Sequence, residues 1–115
     1  MKNRLWKAYE NWETELDKNE WYFSECFDAL AAKLSPSEAF DSIPDILDVL
    51  LHVKETYLLN ETLEFLLIIY NTANTTELHP ALLATCREIN CKLEQLGDSY
   101  SKSTWVELKQ MLRVI

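Results

Sequence analysis

Ile43-Pro-Asp-Ile-Leu-Asp-Val-Leu-Leu-His-Val-Lys-Glu55 and, shortly after it, Glu61-Thr-Leu-Glu-Phe-Leu-Leu-Ile-Ile-Tyr70 are the two stretches that decide the fold. Pro44 suits the first turn of a helix, where its missing N–H costs nothing. The first stretch places Ile43, Ile46, Leu47, Leu50 and Leu51 on one face, with the stem of Lys54 extending it. Asp41, Asp45, Asp48, His52 and Glu55 follow at spacings of 4, 3, 4 and 3, which stacks them in one charged stripe on the other face. Tyr57 to Asn60 reads as the break between the two helices, with Asn60 as the N-cap of the second. That second helix is apolar almost all round, at Leu63, Phe65, Leu66, Leu67, Ile68 and Ile69, the pattern of a buried central helix.

Working outward, residues 3–16 predict an amphipathic helix with Leu5, Trp6, Tyr9, Trp12 and Leu16 on one face. Glu10, Glu13 and Asp17 form a separate acidic row. After a break at Asp17–Asn19, a helix to Leu34 is expected to bury Phe23, Cys26, Phe27, Leu30, Ala31 and Leu34 at helical spacing. Trp21, Glu25 and Asp28 line its other side. Ser35-Pro-Ser-Glu38 is a capping box with proline at the first helical position, opening one short turn that ends near Ser42. Asn71–Thr76 is polar and reads as a loop. The next helix starts at Pro80, buries Leu82, Cys86, Ile89, Leu93 and Leu96, and ends on Gly97 as C-cap. Asp98–Ser103 reads as a loop, and Thr104 with Glu107 as the capping box of a last helix burying Trp105, Leu108, Leu112 and Ile115.

The expectation is an all-α single domain over residues 1–115, built from three consecutive helical hairpins at 3–34, 43–70 and 80–114. Ile43-Pro-Asp-Ile-Leu47 and His79-Pro-Ala-Leu-Leu83 share a pattern, with prolines 36 residues apart. That period favours a short, HEAT-like α-solenoid, with a compact helical bundle as the alternative.

The chain has 115 residues, of which 48% are hydrophobic and 11% aromatic, so it buries roughly two-thirds of its unfolded surface rather than remaining disordered. One glycine and three prolines argue against an all-β fold. The longest apolar run, Phe65–Tyr70, is far short of a membrane span. Met1–Lys7 lacks the apolar stretch and cleavage site of a signal peptide. Cys26, Cys86 and Cys91 are odd in number and lack metal or redox spacing. They predict free, buried thiols and a cytoplasmic location. The net charge is −8, and all of it falls in residues 1–64, with 14 acids against 6 bases; residues 65–115 hold 5 of each. Such a chain repels nucleic acid and anionic lipid and attracts a cationic partner.

Catalytic chemistry needs a nucleophile near a base, or a ligand set. Asp48 and His52 sit one turn apart, but no serine or cysteine is spaced to complete a triad, and an i,i+4 surface pair explains them. His79, Cys86 and Cys91 point in different directions around a helix. There is no Glu-x-x-His motif and no glycine-rich phosphate loop. The expectation is a non-enzyme with no cofactor and no metal. Partner binding is expected through Glu10, Glu13, Trp21, Asp41, Asp45, Asp48, His52 and Glu55, the acids attracting a basic protein and Trp21 anchoring it.

A small, acidic, all-helical chain with three hairpins and no active-site motif resembles the immunity proteins of bacterial polymorphic toxin systems, including contact-dependent growth inhibition. The resemblance rests on size, charge, helical repeats and aromatic content, and carries no residue across. It implies that the protein binds and neutralises a cognate cationic toxin domain, foremost a nuclease. The competing expectation is a helical-repeat adaptor or chaperone-like protein that grips a peptide in an apolar groove.

Overall fold

The computed structural model describes residues 1–112; the expected burial of Ile115 lies outside them. The elements are α1 (Lys2–Tyr9), α2 (Trp12–Lys18), α3 (Tyr22–Ala32), α4 (Pro36–Asp41), α5 (Ile43–His52), α6 (Thr56–Ala73), α7 (Pro80–Leu96) and α8 (Ser99–Met111). No strand occurs among the described residues, and the all-α expectation holds. α6 is the central element, packing on α3, α4, α5 and α8, while α5 lies between α1 and α7 and also packs on α6. The shortest dimension of the molecule is 20 Å, close to two helix diameters. Leu59, Leu63, Phe65, Leu66 and Ile69 of α6 are fully buried, and Ile43, Ile46, Val49 and Leu50 of α5 face them. One polar contact sits in this core: the Tyr9 hydroxyl lies 2.6 Å from Thr62 Oγ1, which itself donates to the Leu58 carbonyl.

Local chemistry explains most of the helix ends. Ser35 Oγ accepts from the Glu38 amide and Glu38 Oε1 accepts from the Ser35 amide, completing the expected capping box of α4. Pro80 opens α7, with His79 as N-cap: its Nδ1 accepts from the Ala81 amide at 2.9 Å.

Several boundaries differ from expectation. The helix over 3–16 is broken at Asn11, which adopts a left-handed conformation (φ 53°) that asparagine tolerates well. The expected break at Tyr57–Asn60 lies instead at Val53–Glu55. Val53 is extended and buried, while Leu58, Leu59, Thr62 and Leu63 form a helical stripe that needs burial from the start of α6. Lys54 is therefore an exposed linker residue rather than a stem on α5. Asn60 lies inside α6 and does not cap it; its Nδ2 reaches Asp98 at 3.4 Å. α6 also runs on through Asn71–Ala73 and stops where Asn74 turns left-handed (φ 54°).

At the other end of the chain, α8 starts at Ser99, because Asp98 and Ser101 form a capping box well before Thr104. Thr104 is buried and its hydroxyl bonds back to the Tyr100 carbonyl. Gly97 is the C-cap of α7 as expected, its N–H donating to the Leu93 carbonyl, but in an extended rather than left-handed conformation (φ −73°, ψ 163°). Its lack of a side chain matters for another reason, since a Cβ there would stand 2.6 Å from the Leu93 carbonyl oxygen. Leu66, Ile69, Ile89 and Leu93 are deeply buried as expected, whereas Leu67 and Cys86 sit at the margins of their helices' buried stripes and are half-buried. The three thiols are free, and Cys91 is exposed rather than buried.

Candidate functional site

The acidic residues expected to form one binding surface divide into two groups with different environments. The first is the α5 stripe. It ends at His52, because the helix ends there, so Glu55 leaves it. α1 has no side-chain cap of its own, and its first turn lies against α5. Asp45 Oδ2 accepts from the Lys2 backbone amide at 3.3 Å and lies 3.4 Å from the Met1 amino group. Asp48 Oδ2 is 3.1 Å from Lys2 Nζ. Asp45 thus acts as an acceptor and counter-charge at the α1 N-terminus, where a helix favours negative charge. His52 is exposed, with Nδ1 2.7 Å from the Asp48 carbonyl oxygen and 3.5 Å from its carboxylate, a local i,i+4 contact. Asp41 is exposed at the end of α4.

The second group is gathered by the break at Asn11. The α1–α2 corner brings Glu10 and Glu13 to the same cleft as Glu55, the N-cap of α6. This cleft has a volume of about 490 Å³, and Trp6, Trp12 and Leu58 line it with the three carboxylates. The Trp12 indole stacks on Tyr57 (5.0 Å between centroids, 11° between planes), and Tyr57 borders a second cleft between α3, α6 and α8. That cleft, about 240 Å³, has Phe23, Phe27 and Ile68 among its lining, together with Glu20, Glu61 and Glu64. The stack therefore joins the two acidic clefts, with Trp12 lining the first and Tyr57 the second. Among the described residues, no Lys, Arg or His lines either cleft. Among the described residues, none of the six carboxylates makes an ion pair.

The second cleft is electrostatically strained. Burial, and after it the neighbouring Glu64 carboxylate, holds Glu61 above the usual carboxylate range. Tyr100 donates to Glu64 Oε1 at 2.8 Å, and that bond, followed by burial, pushes its phenol up to about 12. Burial, then Glu61, raises Tyr57 as well.

Of the residues singled out from sequence, Glu10, Glu13 and Glu55 come together. Asp45, Asp48 and His52 form the separate α1–α5 group, and Asp41 lies outside both clefts. Trp21 is 62% exposed at the N-cap of α3, and it lines neither cleft. Trp6, Trp12, Tyr57, Glu20, Glu61, Glu64 and Tyr100 were not anticipated. Tyr57, Glu61 and Glu64 do carry an i, i+4, i+7 signal, hidden by placing a break at Tyr57–Asn60. No three His, Cys, Asp or Glu side chains among the described residues are arranged to hold a metal ion, and no helix there is long and apolar enough to cross a membrane. Comparison of the chain with family models, curated proteins and solved structures finds no match.

Proposed function

We propose that this chain is a non-catalytic binding protein, of the immunity-protein type, that neutralises a basic toxin domain in the cytoplasm, a nuclease being the foremost candidate. The observation that carries this reading is the stacked pair of Trp12 and Tyr57, one lining each of two clefts whose only charged lining groups among the described residues are carboxylates. Exposed like charges that find no counter-ion within the chain cost stability and speed encounter with a positive partner. Aromatic rings beside them provide the desolvated contact that sets complex lifetime. The packing of both α1 and α7 on α5, and of both α3 and α8 on α6, is the layer succession that a HEAT-like stack would have.

The test is binding kinetics against the product of the adjacent gene, at low and high salt, together with growth rescue on co-expression. The proposal expects a one-to-one complex whose association rate falls steeply with salt. A product that does not bind, or a rate indifferent to salt, would remove it. The second outcome would favour an adaptor gripping an apolar peptide.

A further inference from the structure

We propose that the cleft between the α1–α2 corner and the α5–α6 link is a docking groove for an arginine side chain of the protein partner, a step that rests on the binding reading above. Its walls include the indoles of Trp6 and Trp12, both part-exposed, and its rim carries Glu10, Glu13 and Glu55. Trp6 is steadied edge-on by Tyr9 (6.1 Å, 88°), and Tyr9 is itself anchored to Thr62 in the core. Trp12 is held by its stack on Tyr57. Both aromatic groups are thus fixed before any ligand arrives, which lowers the entropic cost of binding.

Charge complementarity names the occupant. With three carboxylates and, among the described residues, no base in the lining, the groove selects a cation. With two indoles in the lining, it selects a flat, weakly hydrated one that can stack on an aromatic ring while its N–H groups reach the carboxylates. Guanidinium has both properties, whereas an ammonium is a compact and strongly hydrated point charge. The chain already places a cation over an indole elsewhere, with Lys109 Nζ 5.6 Å from the Trp105 ring centroid. Trp105 is buried and its N–H is taken by Asn90 Oδ1, so it serves as an internal reference that no added ligand can reach.

The experiment follows the four indole N–H signals of the ¹⁵N-labelled protein during titration with N-acetyl-arginine amide. The lysine and norleucine analogues serve as comparisons. Saturable shifts are expected at Trp6 and Trp12 only, with a Kd of about millimolar order for so small a probe. Lysine amide should bind several-fold more weakly and norleucine amide should give no saturable response. The triple variant Glu10→Gln, Glu13→Gln, Glu55→Gln should bind arginine amide at least about tenfold more weakly, with Trp105 unmoved as evidence of an intact fold. No saturable shift at Trp6 and Trp12, an equal response to norleucine, or unchanged binding by the triple variant would each overturn the groove. Adding the adjacent gene's product to the same sample separates the two proposals. If it binds without moving Trp6 and Trp12, the groove assignment is wrong while the immunity reading stands. If arginine amide binds and the product does not, the groove stands and the immunity reading falls.

Discussion

The α5 stripe and the α1–α2 corner are both acidic, yet the fold uses them in opposite ways. Asp45 and Asp48 are held by the first turn of α1, through the Lys2 amide, the Met1 amino group and Lys2 Nζ. Glu10, Glu13 and Glu55 meet in a cleft with two indoles and, among the described residues, no base. The first group stabilises a helix junction, while the second makes no ion pair among the described residues. A regular row of carboxylates is thus no guide to a binding face until the structure shows which of them already have partners.

The largest effect expected from perturbing this arrangement lies beneath both regions. Leu66 is fully buried in α6, and Leu66→Ala should cost about 2–5 kcal/mol, read as a shift in the denaturant midpoint. If the acidic corner is a surface independent of core stability, the folded fraction of this variant should keep the parent's association rate. A slower rate at full folding would tie the corner to core packing and blur the comparison.

Reversing Asp45 and Asp48 to Lys comes next. It removes the acceptor at the α1 N-terminus and sets like charges against Lys2, for a loss of about 1–2 kcal/mol. The loss should shrink at high salt, since both carboxylates are about half exposed. A variant as stable as the parent would mean that the α1–α5 contacts contribute nothing and that the stripe is as free as the corner.

The smallest effect concerns Glu61. Its carboxyl is held above its ordinary value of 4.5 by burial and by Glu64, so the folded chain binds this proton more tightly than the unfolded one. The contribution favours folding below pH 4.5 and is lost as pH rises through the raised folded value. Glu61→Gln should therefore differ from the parent by a constant amount in acid and gain on it as pH rises toward neutrality. Thermal melts across pH 3.5–7.5 follow this directly, and parallel curves throughout would show that the cleft imposes no strain on its carboxylates.

The features legible in the sequence are those whose causes are local. Ser35 and Glu38 are three residues apart, Pro44 and Pro80 mark helix starts by their own ring geometry, and the Leu66–Ile69 region declares burial by composition. The α5–α6 break was misplaced because Val53 is extended for tertiary reasons: its side chain is drawn into the core, and no glycine or proline marks the bend. The site was only half legible for the same kind of reason. Glu10 and Glu55 share a cleft across 45 residues of chain, and Lys2 reaches Asp48 across 46. Helical spacing reports neighbours along one helix and is silent about such pairs. It showed the acidic rows without showing that one of them was already taken.

The most direct measurement sets the two acidic groups against each other in one assay. Association rates with the adjacent gene's product are measured at low salt for Asp45→Lys with Asp48→Lys and for Glu10→Lys with Glu13→Lys and Glu55→Lys. Thermal stability is measured alongside. The corner reversal should slow association by about 10- to 100-fold with the melting temperature nearly unchanged, and the stripe reversal should lower the melting temperature while leaving the rate within a few-fold of the parent. The opposite assignment, with the stripe reversal slowing association and the corner reversal binding like the parent, would contradict the account.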